Sequence, residues 1–152
     1  MSRRVVRAGL LAATLSGTPS TLHALMRRRS PLEATLAAGA MVTGERRPAA
    51  VRLAAALLVH LALSLGWTVL LDRVLPDRGR AAWGALAGLG IAALDLGVVG
   101  RRIPAIRALP PGPQVADHVA FGAIAGAALG RRERGTTAAP SAARRRGGRP
   151  RR

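Results

Sequence analysis

Apolar and charged positions are segregated along this chain. Long uncharged runs alternate with short arginine clusters, whereas a half-buried soluble helix or strand would interleave them at a period of 3.6 or 2. Segregation of this kind is the pattern of membrane spans and their connecting loops. The clearest run, Leu53–Leu71, holds no charge and one histidine, His60. As a helix it rises about 28 Å, close to the ~30 Å thickness of a hydrocarbon core. A second run, Ala81–Gly100, is framed by Arg80 and Arg101-Arg102 and contains one acid, Asp95. Trp67 and Trp83 stand near span ends, where interfacial aromatics collect. A third run, Pro113–Gly130, is stopped by Arg131 and carries Asp117 and His118 near its start.

The N-terminal run, Ala8–Met26, is long enough to cross, but Pro19 interrupts it and hydroxyl residues crowd its second half. Membrane helices tolerate such a proline when neighbours satisfy the freed carbonyls, so a kinked span is expected. The competing expectation is a cleaved leader, with Ser2-Arg3-Arg4 as a twin-arginine start. Its uninterrupted apolar part, Ala8–Leu15, is short for that, and no A-x-A site follows. Ser30-Pro31-Leu32-Glu33 reads as a capping box with proline at the first helical position. It predicts a helix over 31–43 that Gly44 ends, too short to cross and lying at the membrane interface. Arg101–Pro113 is expected to be irregular. The pattern thus predicts an all-α fold: a transmembrane helical bundle over 1–132 with spans at 8–26, 53–71, 81–100 and 113–130. From Glu133 the chain is Arg, Gly, Pro, Ala, Ser and Thr without an apolar period, a segment expected to be disordered over 133–152.

Charge orients this picture. All 24 basic residues are arginine, for a net charge of +17. A GC-rich coding bias, which also favours alanine, explains the choice over lysine. With four spans, one side carries Arg3, Arg4, Arg7, Arg73, Arg78, Arg80 and the tail, against the smaller set from Arg27 to Arg52 plus Arg101, Arg102 and Arg107. Positive charge favours the cytoplasm, so both termini of a multi-pass plasma-membrane protein are expected there. The tail reads as a solvated stop-transfer flank, with anionic lipid as a further attraction at ~1 kcal/mol per arginine near the surface. One Phe and two Trp are too few for a base-stacking surface, so no nucleic-acid partner is expected. The absence of cysteine excludes disulfides, thiolate metal sites and cysteine nucleophiles.

Five ionisable residues lie within the spans: His23, His60, Asp95, Asp117 and His118. In the four-span arrangement all fall towards the outer side, and charge at membrane depth is costly enough to demand a reason. Helical phase sharpens the expectation. Gly84 and Gly88 form a G-x-x-x-G step, and Asp95 returns to within ~20° of the same face. His118, Gly122, Gly126 and Gly130 make an unbroken i+4 row. If the two glycine faces pack antiparallel, Asp95 meets His118. His60, Ser64 and Thr68 form a further i+4 stripe, an inward polar face. Three roles compete for the layer: interhelical hydrogen bonds that fix packing, a proton or ion relay, and a metal site. Packing is the preferred one, and neither metal nor cofactor is assigned. No H-E-x-x-H, G-x-S-x-G or P-loop is present, so no catalytic residue is expected.

The segments SGTPSTLHAL (Ser16–Leu25), VHLALSLGW, WGALAGLGIAALDLGVVGRR and ADHVAFGAIAGAALG resemble small, uncharacterised integral membrane proteins of GC-rich actinobacteria. The W-G-x-x-x-G and A-D-H-x-x-F-G-x-x-x-G elements are also similar to a wider group of four-helix bacterial inner-membrane proteins of unknown function. The resemblance covers about Ala8 to Arg132 and implies four spans and no activity. The functional expectation is a non-catalytic membrane component, monomeric, homo-oligomeric or accessory to a membrane complex. The alternative is a small transporter or channel subunit using the Asp/His layer.

Overall fold

Where glycine recurs every fourth residue, two helix backbones can touch, and such contacts set the architecture of this chain. The computed structural model describes residues 1–131; the arginine-rich segment over 133–152 lies outside the described residues. The elements are α1 (Arg3–Leu15), α2 (Thr18–Met26), α3 (Glu33–Thr43), α4 (Ala49–Val74), α5 (Arg80–Leu94), α6 (Pro104–Arg107) and α7 (Pro111–Gly130). α5 continues through a π turn, Asp95–Val99, and a 3₁₀ turn, Gly100–Arg102. The fold is all-α, with no strand among the described residues.

The α5–α7 pair is the tightest. A methyl added at Gly84 would come within 2.9 Å of the Gly122 carbonyl carbon, and one at Gly88 within 2.9 Å of the His118 carbonyl carbon. A methyl at Gly126 would reach the Arg80 carbonyl carbon at 2.8 Å. Residues 80, 84 and 88 therefore oppose 126, 122 and 118 in antiparallel register, with no room for a side chain between them. Gly130, the last of the row, meets only the Arg80 side chain. α1 and α4 are likewise antiparallel, with Arg4 at Asp72, Gly9 against Leu65 and Thr68, and Ala13 at His60. α7 packs between α5 and α1, α4 covers α1, and α3 covers α4. Val5, Ala12, Leu71, Ile91, Phe121 and Leu129 meet in the core they share.

Several expected boundaries are corrected. The N-terminal run is not one kinked helix over 8–26 but two helices separated at Ser16–Gly17, with Pro19 in the first turn of the second. Proline lacks an N–H and pre-sets φ, so it starts α2 more readily than it bends α1. The capping box does not form. The Ser30 hydroxyl accepts from the Leu32 N–H at 3.3 Å, and Glu33 pairs with Arg29 instead of reaching back to Ser30. α3 accordingly starts at Glu33, not residue 31. It packs closely on α4: Ala37, Gly39 and Ala40 are buried, and a methyl at Gly39 would come within 2.9 Å of the Arg52 Cα. The stretch expected to be irregular contains α6, and α7 begins at Pro111.

Among the described residues, two helices are long and apolar enough, by length and composition, to cross a membrane. They are Ala49–Val74, with mean hydropathy 2.0, and Arg80–Arg102, with mean hydropathy 1.7. Only 17 % and 22 % of their most apolar stretches are buried by the rest of the protein. Leu57, Leu58, Leu63, Trp83, Leu86 and Val98 are among the large apolar side chains left uncovered.

Candidate functional site

The break at Ser16–Gly17 leaves backbone groups without helical partners. The Ser16 N–H closes the α1 ladder on the Ala12 carbonyl, which frees the carbonyl of Ala13. His60, reaching from α4, donates its Nε2–H to that oxygen at 2.9 Å. At the start of α2, Gly17 provides no capping side chain and Pro19 no N–H. The Ser20 N–H donates instead to Oδ1 of Asp117 on α7, at 2.9 Å. A carboxylate there acts as an N-cap supplied from another helix and also meets the positive end of the α2 dipole. Thr18 and Ser20 close the break further, their hydroxyls donating to the Leu15 and Gly17 carbonyls at 2.7 and 3.2 Å. Two of the five ionisable residues thus satisfy backbone groups that a proline-bearing apolar helix cannot satisfy alone.

Asp95 and His118 are used differently. His118 Nδ1–H donates to the Gln114 carbonyl of its own helix at 2.8 Å, and Nε2 lies 3.2 Å from Oδ2 of Asp95. The pairing expected from the glycine phase is therefore present: 88 stands opposite 118, Asp95 lies about two turns beyond 88 on the same face, and the two side chains span that offset. Asp95 also opens the π turn, in which the Gly100 N–H donates to the Asp95 carbonyl. Both side chains are partly exposed, at 32 % for Asp95 and 24 % for His118.

His23 stands apart from these contacts. It lines a cavity of ≈ 30 Å³ with Ser20, Glu33, Leu109, Pro113 and Gln114, large enough for a water molecule or two. On the α4 stripe, Ser64 and Thr68 are buried, and the Thr68 hydroxyl donates to the Ser64 carbonyl at 2.6 Å. That stripe ends in a group absent from the expected layer. Asp72 Oδ1 accepts from Arg4 at 2.8 Å and from Arg80 at 3.1 Å, and Arg80 also donates to Asp77 at 3.1 Å. Asp72 is four residues beyond Thr68, and that i+4 spacing was the available signal. Among the described residues no group of three His, Cys, Asp or Glu side chains is placed to hold a metal ion.

Comparison with protein-family models, with curated proteins and with solved structures finds no match, so the roles of these residues rest on their geometry.

Proposed function

We propose that this chain is a multi-pass protein of a bacterial plasma membrane, a non-catalytic membrane component whose polar layer holds its helices in register. The observation that carries the reading is the low coverage of α4 and α5, whose most apolar stretches are 17 % and 22 % buried. The core helix of a soluble protein is covered by its neighbours. Apolar faces of this extent left open in water would mark an aggregation surface, whereas lipid covers them without cost. Packing supports reading two further crossings. α7 lies along α5 by backbone contact and α1 runs antiparallel along α4, so each would accompany its partner into the bilayer. α1 and α2 together form the first crossing, and the termini lie on the cytoplasmic side with the majority of arginines.

A non-catalytic role is supported by how the polar residues are used. His60 and Asp117 each serve a backbone group at the break between α1 and α2. The alternative, a small carrier or channel subunit, draws only on the Asp95–His118 pair, which serves no freed backbone group.

Alkaline carbonate washing followed by detergent tests the membrane reading, with single cysteines at Glu45 and Asp77 for labelling by an impermeant maleimide. The chain stays with the membrane until detergent is added. The cysteine at 45 labels from outside, and the one at 77 labels only after permeabilisation. Recovery of the chain in the soluble fraction without detergent overturns the proposal.

A further inference from the structure

We infer that Asp95 and His118 form a proton-binding site, holding one proton between α5 and α7 as a shared unit. The inference starts from the inventory of donors and acceptors. A carbonyl oxygen only accepts, so the 2.8 Å contact between Nδ1 and the Gln114 carbonyl requires a proton on Nδ1. Nε2 then faces Oδ2 of Asp95 at 3.2 Å. A neutral ring with its proton on Nδ1 offers a lone pair at Nε2, which an ionised carboxylate would repel. The contact therefore needs one more proton, in one of two places. Either the ring is an imidazolium donating to a carboxylate, or Asp95 is a carboxylic acid donating to Nε2. Both states contain the same number of protons and differ only by transfer along the Nε2–Oδ2 line, so the pair binds its proton jointly.

Three features turn this pair into a site and not merely an incidental contact. Backbone contact sets how close the helices lie beside the pair: Gly88 against His118 and Gly84 against Gly122 leave α5 and α7 no room to approach further. Partial exposure of both side chains gives the proton a way in and out. The pair also lies where α5, among the described residues, packs mainly on α7 and leaves its opposite face open. Loss of the proton places a lone pair against a carboxylate at that joint. The other titratable group near His118 is Asp117, its neighbour in sequence, which is held by Ser20; His60, held by the Ala13 carbonyl, lies near Asp117.

¹⁵N NMR of the ring nitrogens in the full-length chain in lipid bilayers, with infrared detection of the Asp95 carboxyl, reads the proton directly. The expected result at neutral pH is a protonated Nδ1 together with either a protonated Nε2 or a protonated Asp95. In Asp95→Asn the shared proton is lost and the pH at which His118 changes charge moves by at least about one unit, a tenfold change in proton affinity. A neutral ring carrying its proton on Nε2 overturns the inference. So does an unprotonated Nε2 beside an ionised Asp95. Both are read in the wild-type chain, so the outcome does not depend on the variant folding.

Discussion

Replacing Gly122 with alanine adds one methyl group at the closest point of the α5–α7 contact. That methyl would fall 2.8 Å from the Gly84 carbonyl carbon and 3.0 Å from the Gly88 nitrogen. Both are main-chain atoms, so no rotamer change relieves the overlap, and recovery of an ordinary ~3.5–4.0 Å contact requires the helices to part by roughly 1 Å. Overpacking costs about 1–3 kcal/mol where side chains can yield, and the upper end applies where they cannot. Alanine is a better helix former than glycine by ~1 kcal/mol, which leaves a net loss of about 2 kcal/mol. Gly90→Ala on the same helix is the control, because nothing lies within 4 Å of the added methyl. It retains the propensity gain and should be neutral to ~1 kcal/mol more stable. Reversible SDS titration of each full-length chain in mixed micelles, followed by far-UV circular dichroism, measures the difference. Gly122→Ala should unfold at a clearly lower SDS fraction than Gly90→Ala. Equal midpoints would show that the glycine row does not hold α5 to α7, and the register on which the Asp95–His118 pair depends would fall with it.

Asp117→Ala should raise hydrogen exchange at the Ser20 amide by about fivefold, the equivalent of an N-cap worth ~1 kcal/mol, while Asp117→Asn, which keeps an acceptor oxygen, changes it less. Unchanged exchange in the alanine variant would mean that α2 is not capped from α7. Asp72→Ala should cost about 1 kcal/mol at low salt, a value already discounted for side chains that are partly in solvent, and the cost should shrink towards zero near 1 M salt, where the screening length is ~3 Å. A loss independent of salt would point to packing and not to the Arg4 and Arg80 ion pairs.

The sequence alone determined the helical class, the two most apolar helices and the phase that pairs Asp95 with His118. These follow from properties a linear chain carries: run length, the position of charge, and a 3.6-residue repeat that puts Gly84, Gly88 and Asp95 on one face. Pro19 and its hydroxyl neighbours signalled an interruption but not its form. Whether a proline bends one helix or starts another depends on who satisfies the freed carbonyl and amide. Those partners, His60 and Asp117, are supplied by helices distant in sequence. The capping box failed for a related reason, since Arg29 competed for Glu33. Asp72, just past the apolar run of α4, gains its role only when α1 brings Arg4 to it. Tertiary structure also decided the use of each polar residue. Spacing could place five ionisable groups at one level, but only packing divided them into two that repair a broken helix, one beside a small cavity and one pair left to share a proton.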